Sequence, residues 1–501
     1  MDLSLKNLIN KFIGVWKDGE NTSQQFVRGS VLSIFSRIII KSIQFFRAVI
    51  LARLLFPTDF GLFGMASIVI SATEVFSQTG FSSAIIHEKE NVKNYLNSVW
   101  TVNFIRNIFL GFLVYFGAAP LASIFFHNAV VIPLAKALSL TFFLMSFYNI
   151  GVVLLDKEMQ YNKITLYNII CVVAEVITVV ISALILRNVW ALVFGVIANR
   201  LMAVIFSYYF HPFRPKFTLD LSGARRLFKY GKWVSLAGII AFLVGQGDNI
   251  TIGRLLAPDQ LGYYLIAFSF GTLPAIEIAR VLGNVLFPLF SKIQQDKERL
   301  RRTFIRVARI IFSLTIPASV GLFVLAREAV HFVYSDRWLA VVPILYVIIL
   351  YSFLKSFELV ENSLFLGVGK PKTNSVITII QIIVMFSVIV PLTKIYGPVG
   401  TAWSVFVGSV VAQIYALYVL RHEIILGVKG FVRMVSLPVV ASLIMFSILY
   451  LSKMILPVSN VILLLLYILA GAGIYFFIVL KLDKVFGGRF IHSLELIKKY
   501  L

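Results

Sequence analysis

Apolar stretches long enough to cross a bilayer constrain this chain more than any other feature of its sequence. The clearest stretch, 461–480 (VILLLLYILAGAGIYFFIVL), contains no charged residue. An α-helix needs about 20 apolar residues to cross the hydrocarbon core. Lipid offers no hydrogen-bond partner to the backbone, so a crossing segment must be a helix or a strand of a closed barrel. The stretches lack the alternation of barrel strands. The sequence therefore predicts an all-α integral membrane protein.

The same criterion predicts fourteen transmembrane helices. They lie at 29–52, 60–82, 98–120, 131–155, 164–186, 189–210, 233–256, 261–287, 304–326, 340–366, 374–394, 399–420, 431–452 and 458–480. Charged residues make up only 14% of the chain, whereas a soluble protein carries about a quarter. This composition excludes a soluble globular protein.

The distribution of positive charge predicts the orientation. With fourteen spans both termini lie on the same side, and if that side is the cytoplasm, 28 of the 46 Lys and Arg lie in cytoplasmic segments and 5 in external ones. Cytoplasmic loops of membrane proteins are enriched in these residues. The net charge of +23 then reflects loops facing anionic lipid, and we expect no nucleic-acid partner.

The longest polar interruption divides the chain into two predicted lobes. It contains six basic residues and two prolines. The predicted parts are a cytoplasmic amphipathic N-terminus at 1–28, a first lobe at 29–210, a cytoplasmic basic linker at 211–232, a second lobe at 233–420, spans 13 and 14 at 431–480, and a cytoplasmic basic tail at 481–501.

A short internal repeat supports the division into lobes. ARLLFPTDFG at 52–61 matches GRLLAPDQLG at 253–262, an offset of 201 residues. The shared positions include a basic residue, a proline and a glycine: Arg53 and Arg254, Pro57 and Pro258, Gly61 and Gly262. One interpretation is merely a favourable helix-hairpin turn. The other, which we favour, is duplication of a six-helix lobe, with a pseudo-twofold axis along the membrane normal.

Three segments resemble one family of transporters. They are GRLLAPDQLGYY (253–264), FPLFSKIQQDKERLRRTF (287–304) and LGVGKPKTNS (366–375). These segments are similar to Wzx-type polysaccharide transporters of the colanic and teichuronic acid exporter kind. That family belongs to the multidrug/oligosaccharidyl-lipid/polysaccharide flippase superfamily.

The resemblance implies a flippase and not an enzyme. It implies alternating-access translocation of undecaprenyl-pyrophosphate-linked oligosaccharide from the inner to the outer leaflet of the bacterial cytoplasmic membrane. The implied partners are this lipid-linked oligosaccharide, membrane lipid, and polysaccharide polymerase and glycosyltransferase machinery.

Cations inside the predicted spans are the candidate head-group ligands. Ionisable side chains within a membrane are costly and usually face a cavity or a partner. Span 1 carries Arg37, Lys41 and Arg47, and span 8 carries Arg280. Given the implied substrate, we expect these four to bind its pyrophosphate, because Arg offers paired donors and Lys a compact charge. For Arg37 the alternative is snorkelling to the cytoplasmic surface.

Acidic residues inside the spans are the candidate coupling or gating groups. These are Asp248, Glu277 and Glu74. Asp248 occupies the repeat position of Arg47, so the two charges could pair in one state. The acids either carry a driving ion, proton or sodium, or only neutralise the basic cavity when substrate is absent. Six dispersed histidines and one cysteine, Cys171, indicate no metal site or other cofactor.

Three alternatives remain. A cation-coupled multidrug exporter of the same superfamily would favour an acidic cavity, whereas span 1 is basic. A lipid II flippase differs only in the motif pattern. A membrane polymerase or ligase would need a large external loop or an embedded acid/base site, and the predicted external loops are short.

Overall fold

The computed structural model describes residues 22–87, 95–220 and 222–483, and every long element in this part of the chain is a helix. The prediction of an all-α membrane protein is confirmed. Residues 1–21 of the predicted N-terminal segment and 484–501 of the predicted tail lie outside the described residues.

The helices follow one another closely along the chain. They are α1 (Thr22–Leu54), α2 (Pro57–Phe76), α3 (Phe81–His87), α4 (Leu96–Phe112), α5 (Ala119–Phe126), α6 (Val131–Ser146), α7 (Val153–Lys157), α8 (Tyr161–Leu186), α9 (Trp190–Phe210), α10 (Ser222–Leu255), α11 (Pro258–Ile293), α12 (Lys297–Val324), α13 (Ala326–Tyr334), α14 (Val341–Gly367), α15 (Pro371–Glu423), α16 (Val428–Ile455) and α17 (Val461–Asp483). A π-helical segment, Leu113–Ala118, joins α4 to α5.

Ten helical stretches of the described residues are long and apolar enough to cross a membrane, and a bent pair would make an eleventh. Each of the fourteen predicted spans nevertheless falls on helix. α15 holds two of them and bends at Gly397, where φ is 60° and Pro398 follows. α1 and α10, which hold predicted spans 1 and 7, are not among the ten. The number fourteen stays a prediction.

Predicted span 4 is broken rather than straight. α6 and the following helical segment Ile150–Lys157 meet at 73°. At the break, the buried Asn149 side chain accepts a hydrogen bond from the Gly151 amide at 2.9 Å and so caps the second segment. A capping side chain satisfies the free amides of a new helix start, and the apolar composition of this span hid that signal.

The chain forms two compact units, and the boundary falls inside α10. The first unit holds the described residues up to Leu55 and Met65–Phe242; the second holds Phe56–Gly64 and the described residues from Leu243. In the first unit α1 packs on α8, and α8 on α9. In the second unit α11 and α14 pack along each other, and α12 packs on α16.

The predicted linker is only partly irregular. Helix α10 begins at Ser222, so residues 211–220 form the non-helical part. Side chains of α4 satisfy its backbone: Asn97 Oδ1 accepts from the Lys216 amide at 2.9 Å, and Thr101 Oγ1 accepts from the Thr218 amide at 3.1 Å. Ser98 Oγ donates to the Asp220 carbonyl at 2.6 Å. The segment is therefore docked on the first unit.

The two copies of the repeat motif meet in the second unit. Pro57 and Pro258 are the first residues of α2 and α11, a position that requires no amide hydrogen. A Cβ on Gly61 would overlap the Pro258 carbonyl, and a Cβ on Gly262 would overlap the Pro57 carbonyl. We call this reciprocal contact of Pro57, Gly61, Pro258 and Gly262 the repeat contact. Glycine at both positions therefore permits this close packing.

Candidate functional site

The centre of the candidate site is an ion pair between α1 and α8 in the first unit. Arg47 Nη1 donates to Glu175 Oε1. The other carboxylate oxygen, Oε2, accepts from Asn199 Nδ2 of α9 at 3.0 Å. The same amide lies 3.2 Å from the Cys171 carbonyl, one turn before Glu175 on α8. Glu175 is thus held from two sides, by a cation and by a neutral amide.

The other two cations of α1 lie at a different angle around the helix. Arg37 and Lys41 are one turn apart and share a face. Arg47 is rotated from Lys41 by about 120° at 3.6 residues per turn. Lys41 is exposed and Arg37 is half-buried. The structure therefore brings Arg37 and Lys41 together and turns Arg47 toward α8.

Two guanidinium nitrogens of α1 are buried without a hydrogen-bond partner among the described residues. They are Nη1 of Arg37 and Nε of Arg47. A buried donor left unsatisfied costs about 1–3 kcal/mol, more when it is charged. Such donors point to a ligand with several acceptor oxygens, and phosphate groups fit this chemistry.

Glu74 lies in a second polar group of the first unit. Its carboxylate is 3.9 Å from Arg200 Nη2, and its backbone carbonyl accepts from Arg106 Nη2 at 3.2 Å. Arg106 also donates to Ser77 Oγ at 2.9 Å. Sequence reasoning did not assign Asn199, Arg200 or Arg106 to the site, although each is a polar residue inside an otherwise apolar span.

Asp248 is buried in the second unit, with 4% of its surface exposed. Its Oδ2 accepts from the Tyr264 hydroxyl at 2.7 Å, and its Oδ1 accepts from the Asn249 amide at 2.8 Å. Arg47 and Asp248 each have a hydrogen-bond partner inside their own unit. Their pairing in one state stays a prediction.

Helices α11 and α14 each carry an ion pair. Arg280 Nη1 lies 3.1 Å from Glu277 Oε1, a local pair of the kind that their spacing predicts. Lys355 Nζ donates to Glu358 Oε1 at 2.5 Å, and Arg280 is within electrostatic range of Lys355. Arg280 thus carries its own counter-charge.

Glu361 is a second buried acid that sequence reasoning left unassigned. It is 1% exposed, and its Oε1 accepts from Gln413 Nε2 at 2.7 Å. The basic residues of the repeat, Arg53 and Arg254, lie in the last turns of α1 and α10. Among the described residues, no group of three or more His, Cys, Asp or Glu could hold a metal ion.

Comparisons with known proteins assign the chain to a family. Residues 50–343 match the family described as polysaccharide biosynthesis protein. The chain is 22% identical over 404 residues to the lipopolysaccharide biosynthesis protein WzxC of Escherichia coli (strain K12), covering 80% of this chain and 82% of that protein. It is also 22% identical over 350 residues to the teichuronic acid biosynthesis protein TuaB of Bacillus subtilis (strain 168), covering 70% and 72%.

Among solved structures, the chain is similar to the lipid II flippase MurJ in an inward closed conformation. The TM-score is 0.74 at 18% sequence identity, covering 91% of this chain and 99% of that one. This likeness shows the fold. Because the family match covers more than half of the sequence, the chain belongs to the polysaccharide biosynthesis protein family of multi-pass membrane transporters and not to a family of enzymes.

Proposed function

We propose that the chain translocates undecaprenyl-pyrophosphate-linked oligosaccharide from the inner to the outer leaflet of the bacterial cytoplasmic membrane by alternating access. The names of its relatives point to surface polysaccharides, and its fold is that of a lipid flippase. The observation that carries the proposal is the pair of buried, unpartnered donors on Arg37 and Arg47. A pyrophosphate supplies the acceptors that these donors lack.

The pyrophosphate head group binds on the first unit in this proposal. Arg37 and Lys41 offer one cationic face of α1, and Arg47 offers a second. Arg280 stays a predicted ligand; it lies in the second unit, where it pairs with Glu277. The fourteen spans, the two related lobes and the cytoplasmic termini belong to the same proposal.

The proposal includes ion coupling through Asp248. This carboxyl is buried in a helix that holds predicted span 7 and accepts hydrogen bonds from two neutral groups. Buried carboxyls inside membranes usually serve ion or proton pathways. A proton or a sodium ion would bind there, whereas Glu74 is half-exposed and pairs with Arg200 at longer range.

The test measures leaflet exchange in proteoliposomes. A fluorescent undecaprenyl-pyrophosphate oligosaccharide is placed in both leaflets, and a membrane-impermeable quencher reports exchange. We expect Arg37→Gln and Arg47→Gln to slow exchange by at least ten-fold, the loss expected for about 1.4 kcal/mol of binding. The matched control is Arg421→Gln, an exposed arginine at the end of α15. Unchanged exchange in both α1 variants would overturn the head-group site.

A further inference from the structure

We propose that the Glu175 carboxylate occupies the position of a substrate phosphate on Arg47, so that substrate binding requires it to leave. This inference rests on the proposed function, because it assumes that Arg47 binds a pyrophosphate. It adds a residue to the site, a built-in competitor that is part of the protein and was not among the predicted site residues.

The geometry of the pair suits a replaceable ligand. Arg47 binds Glu175 through Nη1, while its Nε has no hydrogen-bond partner among the described residues. The contact therefore does not use the full fork of donors that an arginine offers to an anion. A phosphate group that binds end-on can accept from Nη1 and Nη2 together, because these two nitrogens share one edge of the guanidinium. The incoming head group thus gains one more hydrogen bond to Arg47 than Glu175 makes.

Asn199 keeps a hydrogen bond to the Glu175 carboxylate after this group leaves Arg47. Its Nδ2 donates to Glu175 Oε2 at 3.0 Å and is fixed against the Cys171 carbonyl on the same helix as Glu175. When Oε1 leaves Arg47, Oε2 retains this neutral donor. Glu175 therefore does not lose all its hydrogen bonds when the substrate arrives.

The partial burial of Arg47 and Glu175 gives an ion pair of intermediate strength, which a substrate can break. The side chain of Arg47 is 29% exposed and that of Glu175 is 16% exposed. Fully exposed ion pairs contribute little, and breaking a fully buried pair is strongly unfavourable. A half-buried pair lies between these limits. It can neutralise Arg47 inside the membrane before substrate binds and can help to expel the head group afterwards.

Competition has a definite consequence for affinity. If the free protein spends most of its time with Arg47 paired, the apparent affinity for substrate falls by the fraction of protein in which Arg47 is available. Removing the charge of Glu175 must then tighten substrate binding. A merely structural role predicts the opposite, because loss of the pair would disturb Arg47.

The experiment measures the binding of undecaprenyl pyrophosphate to the full chain in nanodiscs. We expect Glu175→Gln to tighten binding by roughly five-fold or more, the usual lower range of coupling between sites. We also expect it to slow steady-state exchange, because Glu175 no longer competes with the head group for Arg47 when the head group is released. Glu175→Asp, which withdraws the carboxylate while keeping its charge, gives an intermediate result. The matched control is Glu298→Gln, an exposed acid on α12 that pairs with the neighbouring Arg301 and Arg302.

The double variant separates the two proposals. Arg47→Gln alone should weaken binding, and adding Glu175→Gln to it should give no further change, since no pair remains to break. If Arg47→Gln binds normally, the proposed head-group site fails. If Arg47→Gln weakens binding while Glu175→Gln and Glu175→Asp leave it unchanged or weaker, the head-group site stands and the competitor role is overturned. Melting temperatures identify any variant that fails to fold.

Discussion

At the scale of single residues, the contacts that hold the candidate site join side chains far apart in the chain. Arg47 and Glu175 are 128 positions apart, and nothing local to either one indicates the other. Asn199 was missed because a lone amide in an apolar span has many structural roles. Glu277 and Arg280 were predictable as a pair because helical spacing alone brings them together.

The hydroxyl of Tyr264 should matter for the stability of the second unit. It donates to Asp248 Oδ2 at 2.7 Å, and both residues are buried. Tyr264→Phe leaves this oxygen without its donor, so we expect a loss of about 1–3 kcal/mol in the free energy of unfolding. Thermal unfolding in detergent measures it. The control is Tyr450→Phe, an exposed ring on α16; equal melting temperatures of the two variants would refute the role of this hydrogen bond.

Asn149 should fix the docked segment 211–220. Its Nδ2 donates to the Phe213 carbonyl at 2.7 Å, its Oδ1 caps the segment after the break, and its side chain is fully buried. We expect Asn149→Ala to lower the free energy of unfolding by about 1–3 kcal/mol.

The same variant should increase tryptic cleavage after Lys216, which is followed by Phe217. Asn460→Ala, which removes an exposed cap of α17, serves as the comparison. Equal cleavage of the two variants would show that Asn149 does not hold this segment.

At the scale of helices, the positions of the spans were largely predictable and their irregularities were not. Hydropathy located helix at all fourteen predicted spans, because length and apolarity are the requirements of the bilayer itself. The bend between α6 and the segment Ile150–Lys157 depends on one capping asparagine. The docking of residues 211–220 on α4 depends on tertiary hydrogen bonds. Neither feature alters the apolar pattern.

The repeat contact gives the sharpest prediction about helix packing. Gly61→Ala and Gly262→Ala each place a methyl group against a proline carbonyl of the other copy. Since backbone cannot move aside as a side chain can, we expect each variant to lose about 1–3 kcal/mol of stability, and by similar amounts.

The control for the repeat contact is Gly473→Ala on α17, where nothing lies within 4 Å of an added Cβ. In that position alanine should be neutral or slightly stabilising in a helix. If the two repeat variants unfold at the same temperature as this control, the repeat contact does not contribute to packing.

At the scale of the whole molecule, the family could be recognised from three short segments, and the comparison bears this out. The orientation still rests on the distribution of charge. Single cysteines test it in a Cys171→Ala background, since Cys171 is the only cysteine. In intact cells we expect a membrane-impermeable maleimide to label Ala129→Cys but not Lys216→Cys; both positions are exposed. The reverse pattern would invert the predicted topology.

The substrate class is the central claim, and leaflet exchange by the unaltered protein tests it most directly. Proteoliposomes carrying the protein are compared with empty liposomes, using a fluorescent undecaprenyl-pyrophosphate oligosaccharide and, in parallel, a cationic dye, each with and without a proton or sodium gradient. Exchange of the oligosaccharide that requires the protein, without dye transport, is the expected result. Dye transport without oligosaccharide exchange would contradict the proposal and favour a multidrug exporter.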